Sequence, residues 1–315
     1  MSRAVGILLG FAADRVLGDP RQFHPVAGFG RTASRLEDLL YADSRSKGAA
    51  HTAVLVGVTA ATGLALERLT KRSPILHTIV TAAATWTVLG ARSLDREAET
   101  MAGLLEEKDI PGARGRLSHL CARDATNLEA DELARATVES IAENTSDACV
   151  APLLWGGAFG IPGLLGYRAA NTLDAMVGYK SPKYLNFGWA SARLDDLLNL
   201  LPARVCAVLT GLAAGRPNEA IDTWKRDAAK HPSPNAGPVE AAFAGALGLT
   251  LGGTNSYGSY QEDRGTLGEG PAPTVADVRR TAALARRVGV AAAGLAIVLA
   301  VLVETAVPGR GKRWG

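Results

Sequence analysis

Cysteine is scarce in this 315-residue chain. The three residues, Cys121, Cys149 and Cys206, are odd in number and lack metal-knuckle spacing. That excludes a disulfide framework and reads as buried free thiols in a reducing compartment. Aromatic residues are few, at 5%. No P-loop and no internal repeat are present, and "GGAFGIPGLLG" is glycine-rich without dinucleotide or Walker spacing. Neither sign of charge dominates: a scattered net charge of +3 is too mild for a nucleic-acid surface, so nucleic acid is excluded as a partner. The start, "MSRAVGILLGFAADRVLGDP", lacks a small-residue cleavage site before Asp19-Pro20 and reads as a retained apolar helix.

What is abundant is small and aliphatic. The chain is 47% hydrophobic with 35 glycines, and its mean hydropathy is +0.08. The apolar residues are clumped, which makes a lipid bilayer the expected partner. Apolar segments run over 4–17, 52–69, 75–91, 148–166, 198–214 and 288–307. The last is nearly the ~20 residues that cross a hydrocarbon core. Residues 239–253 are shorter and glycine-rich and read as a half-helix or buried helix. Between 92 and 147 the pattern changes to amphipathic helices in water, with Asn127 as an N-cap. Residues 254–276 read as an exposed loop. The expected fold class is all-α: a polytopic integral membrane helical protein with short, partly re-entrant helices. It forms a single domain over 1–315, with a soluble helical insert at 92–138.

Polar residues gather where the apolar segments begin and end. Glu139, Glu143 and Asp147 follow i, i+4, i+8 spacing, drift only ~80° around a helix, and share one face. Three acids on one face repel one another. A solvated face explains them, and so does a face that holds Mg²⁺. "YRAANTLDAMVGYKSPKYLNFGWASARLDDLLNLLPAR" repeats the theme. It pairs Asn171 with Asp174 and Asp195 with Asn199, near Arg168, Lys180, Lys183, Arg193 and Arg204. Intrahelical ion pairs at a membrane surface are one reading; a polyanion site with metal is the favoured one. "DRVLGDPRQFHPV" places Asp14, Arg15, Asp19 and His24 beside the first apolar segment. "KRDAAKHPSPNAGPVEAA" sets Asp227, Lys230, His231, Ser233, Asn235 and Glu240 around two prolines. That loop is either an ordinary turn and N-cap or an anion site at a helix start.

At these residues the chain resembles a known family. "DRVLGDPRQFHPVAGFGR", "ESIAENTSDACVAPLLW", "NTLDAMVGYKSPKYLNFGWASARLDDLLNLLPAR" and "RDAAKHPSPNAGPVEAAFAGALGLTLGGTNSYG" are similar, in order, to the motifs of the CobD/CbiB cobalamin-biosynthesis proteins. The resemblance implies an integral membrane adenosylcobinamide-phosphate synthase. Such an enzyme joins adenosylcobyric acid to (R)-1-amino-2-propanol phosphate, or to the free amino alcohol, with ATP and Mg²⁺. On that reading Glu139, Glu143, Asp147, Asp14 and Asp19 hold metal. Arg168, Asn171, Lys180, Lys183, Arg193, Ser233, Asn235, His24 and Arg15 contact substrate or phosphate. His231, Asp174, Asp195 and Lys230 are the catalytic set, with His231 or His24 taking a proton from the attacking amine. Other late enzymes of the pathway are implied partners. The implied location is the inner (cytoplasmic) cell membrane, multi-pass, with a cytoplasmic active face. A non-catalytic membrane sensor or scaffold like the AmpE-type regulators, and a corrinoid permease, are the competing readings. The permease predicts charges deep inside spans, whereas here most lie at their margins.

Overall fold

The computed structural model describes residues 1–19, 24–257 and 260–306. Pro20 and the basic "GRGKRWG" end, which bear on the first turn and on orientation, lie outside the described residues. The helices in chain order are α1 (Ser2–Leu17), α2 (Pro25–Leu40), α3 (Arg45–Thr70), α4 (Pro74–Val88), α5 (Ala91–Glu106), α6 (Ile110–Leu117) and α7 (Ala130–Thr145). After a π-helical turn, Ser146–Val150, come α8 (Ala151–Phe159), α9 (Ile161–Val177), α10 (Trp189–Ala214), α11 (Pro217–Asp227), α12 (Ala236–Leu247) and α13 (Val275–Ala306). A hairpin of β1 (Leu251–Tyr257) and β2 (Tyr260–Leu267) precedes α13. The protein is therefore all-α in class, with one small antiparallel ribbon. Four helical stretches are long and apolar enough to cross a membrane: Arg45–Thr70, Pro74–Glu106, Trp189–Ala214 and Val275–Ala306. As expected, the architecture is that of a polytopic membrane protein.

Two expected segments differ from single spans. Segment 4–17 is α1, whose 16 residues fall short of the ~20 a crossing needs. Segment 148–166 is interrupted by the π turn and again at Gly160, whose φ of 72° ends α8 before α9 begins. The chain divides into two compact units. One comprises Met1–Leu89, Pro152–Arg193 and Ala293–Gly315; the other comprises Gly90–Ala151 and Leu194–Ala292.

In the first unit α1 packs on α4 and α3 on α9. A Cβ at Gly6 would come within 2.6 Å of Thr81 Cβ, so the α1 and α4 backbones approach as only a glycine allows. Gly6→Leu is expected to cost about 1–3 kcal/mol by overpacking, seen as a lowered thermal midpoint in detergent; an unchanged midpoint would mean that α1 shifts freely on α4. At the helix ends, Glu67 accepts from Arg3 at 3.0 Å and from the Ile161 N–H at 3.1 Å, with His77 Nε2 at 3.2 Å. These bonds tie α1, α3, α4 and α9 together.

The second unit is built around α5, α6, α7, α12 and the unit's part of α13, with Leu94, Met101, Leu117, Leu133, Ile141 and Val278 in its core. Residues 236–246 of α12 are all buried, a helix that is apolar all round. Its one charged residue is Glu240. Two expectations change here. The start of α7 is set not by Asn127 but by Glu132, which accepts from the Glu129 N–H at 3.0 Å. The stretch expected as loop from 254 contains most of the hairpin, with Leu251 opposite Leu267 and Thr254 opposite Asp263. A bulge between Gly252 and Thr254 uses φ of 89° at both Gly252 and Gly253.

Candidate functional site

The two units carry separate clusters of polar residues. In the first, α9 presents Arg168 to a small, mainly apolar cavity of about 110 Å³ bounded by Val26, Phe29, Thr59 and Thr172. Arg168 Nη1 lies 3.5 Å from Asn171 Oδ1 on the next turn. Asp174, half-buried, closes the helix through its carbonyl, which accepts from the Gly178 N–H at 2.7 Å. Asp14 is fully buried in α1, and Arg15 is half-buried beside it in sequence. His24 is the N-cap of α2: its Nδ1 accepts from the Val26 N–H at 3.2 Å, and its Nε2 faces Asp19 at 3.7 Å. Nδ1 is thus occupied in capping, while Nε2 is turned toward Asp19. Lys183 is likewise matched. Its ammonium lies 2.7 Å from Glu37 and 2.9 Å from the Tyr184 hydroxyl, over the rings of Tyr41 and Tyr184. Glu37 and Tyr184 push its pKa up. Lys180 and Arg193 are exposed.

In the second unit the expected acidic face divides. Glu139, 1% exposed, accepts from Arg123 at 2.5 Å and from the Gly252 N–H at 2.7 Å, with Arg135 at 3.5 Å. Its carboxylate fixes the hairpin to α7, and its oxygens are already engaged. Glu143 and Asp147 are half-buried, and Asp147 stands in the π turn rather than on a continuous α-helical face. Among the described residues no group of three or more His, Cys, Asp or Glu is placed to hold a metal ion. The acids expected to cradle Mg²⁺ do not form such a set.

The loop between α11 and α12 also departs from expectation. Lys230 donates to Asp227 at 2.7 Å, so its ammonium is already paired within the fold. Asp227 is buried, which raises a carboxyl's pKa, but Arg226, Lys230 and the Gly268 N–H outweigh that and hold it well below the usual range. His231 is interior: its Nδ1 accepts from the Ser233 N–H at 3.0 Å, and its Nε2 lies 3.6 Å from Glu240, both side chains having no exposure. Burial, reinforced by Arg264 and only partly opposed by the Ser233 carbonyl 3.3 Å from Nδ1, pushes the imidazole down to about 4. At neutral pH it is uncharged. Glu240 Oε1 is 3.4 Å from Arg264, while Oε2 has no hydrogen-bond partner among the described residues. Burial pushes this carboxyl's pKa up; Arg264 opposes that, and Glu139 and Glu143 add to it. Asn235 precedes α12 but does not cap it with its side chain. That amide donates to the Asp196 carbonyl at 2.8 Å and accepts from Arg204 at 3.1 Å, while Ser233 Oγ accepts from the Ala236 N–H at 3.1 Å. One turn before Asn199 on α10, Asp195 accepts from the Asn199 amide at 2.9 Å.

Beside this loop lies a cavity of about 420 Å³. Its walls include Arg204, Trp224, Lys225, Ser233 and the prolines 232 and 234. Sequence reading missed Trp224 and Lys225. The available signal was slight: Trp224 and Ala228 are four apart in "TWKRDAAK", which puts them on one face of a helix entering the loop.

Comparison with known proteins bears on what these clusters serve. The family model described as CobD/Cbib protein matches residues 7–285. The chain belongs to the CobD/CbiB family. A relative from Mycobacterium tuberculosis (strain ATCC 25618 / H37Rv), named Cobalamin biosynthesis protein CobD, is 52% identical over 303 residues, covering 95% of this chain and 96% of the relative. Relatives of the same name from Chromobacterium violaceum and Rhodobacter capsulatus are 42% and 37% identical, covering 96% of this chain and 98% of each relative. No solved structure matches. CobD/CbiB membership assigns the chain a part in cobalamin biosynthesis.

Proposed function

We propose that this CobD/CbiB-family protein is an ATP-dependent ligase of the multi-pass cell membrane, with its active face toward the cytoplasm. It joins the free propionate of adenosylcobyric acid to the amine of (R)-1-amino-2-propanol phosphate, or of the free amino alcohol. The carboxylate attacks the terminal phosphorus of ATP, giving an acyl phosphate and ADP. The amine then attacks the acyl carbon, inorganic phosphate leaves, and the amine gives up its proton. Such a route needs fixed positive charge around the transferring phosphoryl group. The observation that carries the reading is the cavity beside the α11–α12 loop, which Arg204 and Lys225 flank. The described acids do not assemble into a protein-held metal site, and no step here runs through one.

The test is mass spectrometry of the purified protein incubated with adenosylcobyric acid, the amino alcohol phosphate and MgATP. The expected product is the corrinoid amide, with one ADP formed per amide bond. Corrinoid binding without any amide, under conditions where the protein stays folded, would overturn the ligase reading in favour of a carrier or scaffold.

A further inference from the structure

Resting on that reading, we infer that the cavity beside the α11–α12 loop is the nucleotide subsite, and that the amino alcohol binds elsewhere. Three observations point this way. First, the cavity's charge is of one sign. Lys225 is exposed and has no ion-pair partner among the described residues, in contrast to Lys230 and Lys183, which are matched by Asp227 and Glu37. Arg204 also belongs to the lining, where it donates to Asn235. Among the described residues no carboxylate lines the space, and His231 is neutral there. An amino alcohol phosphate carries an ammonium of its own, which this lining repels and offers no acid to pair with. A nucleoside triphosphate carries only negative charge at neutral pH and meets no such conflict.

Second, the remaining lining is mostly apolar. Trp224 is half-buried, anchored on one side against the core of the unit, and the prolines 232, 234 and 238 complete the wall. A tryptophan face suits a purine ring, because every base has a π-face to stack. A three-carbon phosphomonoester has nothing to lay against it. Third, about 420 Å³ falls within the ~300–1,000 Å³ of pockets for ligands of nucleotide size.

Equilibrium binding on the intact purified protein in detergent decides the matter, using ATP as its magnesium salt, inorganic triphosphate and the amino alcohol phosphate as separate probes. Lys225→Gln removes a charge from an exposed side chain and is expected to weaken both ATP and triphosphate at least tenfold. Trp224→Leu is expected to weaken ATP but leave triphosphate within about twofold. Both variants are expected to bind the amino alcohol phosphate as the wild type does. Unchanged ATP affinity in Lys225→Gln, with an unchanged thermal midpoint, overturns the assignment. So does a loss confined to the amino alcohol phosphate. If Trp224→Leu fails to fold, Lys225→Gln still decides. Amide formation is followed separately. Wild-type ligation together with ATP binding indifferent to Lys225 removes the subsite and leaves the ligase. ATP binding that depends on Lys225 without any amide product keeps the subsite and removes the ligase.

Discussion

Replacing Glu139 with alanine is expected to destabilise the protein by about 3–5 kcal/mol, because it breaks a buried ion pair from one side only. Arg123 is 3% exposed and Glu139 1%. Without the carboxylate, the guanidinium stays in a low-dielectric interior and loses its ion pair with Glu139. The Gly252 N–H loses its acceptor at the same time, and Arg135 loses a partner. One of the two polar ties between the hairpin and α7 is thereby lost, leaving the bond from Arg135 to the Gly252 carbonyl. Glu143→Gln, on a half-buried side chain, is expected to cost no more than about 0.5 kcal/mol. Thermal unfolding in detergent, with proteolysis of the hairpin scored in parallel, reads both. Arg123→Ala should be comparably severe, and the double variant should lose less than the sum, since one interaction is removed twice. A Glu139→Ala protein that melts with the wild type, but no longer responds to Mg²⁺, would restore the metal-ligand role.

That contrast shows what a linear pattern can and cannot say. The i, i+4, i+8 acids were legible as unusual, and the helices that carry them were found. What the acids face was not legible. Arg123 comes from the segment before α7, and Arg264 from a strand whose sequence, "TNSYGSYQEDRGT", reads as a loop. β-branched and aromatic residues are too sparse there to announce strands. The ribbon holds because Glu139 and Arg135 bind the backbone of Gly252, a pairing over more than a hundred residues of sequence. Capping failed for a related reason. Asn235 is an apt N-cap by type, yet Arg204 and Asp196 claim its side chain, and Ser233 takes the role. The apolar segments were the most legible part, since length and hydropathy are local properties. The interruptions at the π turn and at Gly160 depend on how neighbouring helices pack, which the pattern does not carry.

His231 gives the second large expected effect, and its sign opposes that of a catalytic base. Folding moves the imidazole from an ordinary 6.5 to about 4, through burial first and Arg264 second. Between those values the unfolded chain takes up a proton that the folded protein refuses. Stability from this group is therefore complete above about pH 6.5 and declines as pH falls, with roughly 3 kcal/mol lost by pH 4. Glu240 faces the ring with its pKa raised, so its own contribution runs the other way, declining as pH rises above 4.5. Arg264, Arg123, Glu139 and Glu143 complete the charged surroundings. Because the two trends overlap, the difference between wild type and His231→Gln isolates the histidine. On a pH series from 4 to 7, the thermal midpoint of the wild type should fall more steeply toward acid than that of the variant, the gap closing above 6.5. The kcat of surviving His231→Gln protein should keep the wild-type pH dependence between 6 and 8, where this imidazole does not titrate. A profile that flattens in that range, with folded yield unchanged, would return His231 to the role of general base and require Glu240 to be ionised beside it.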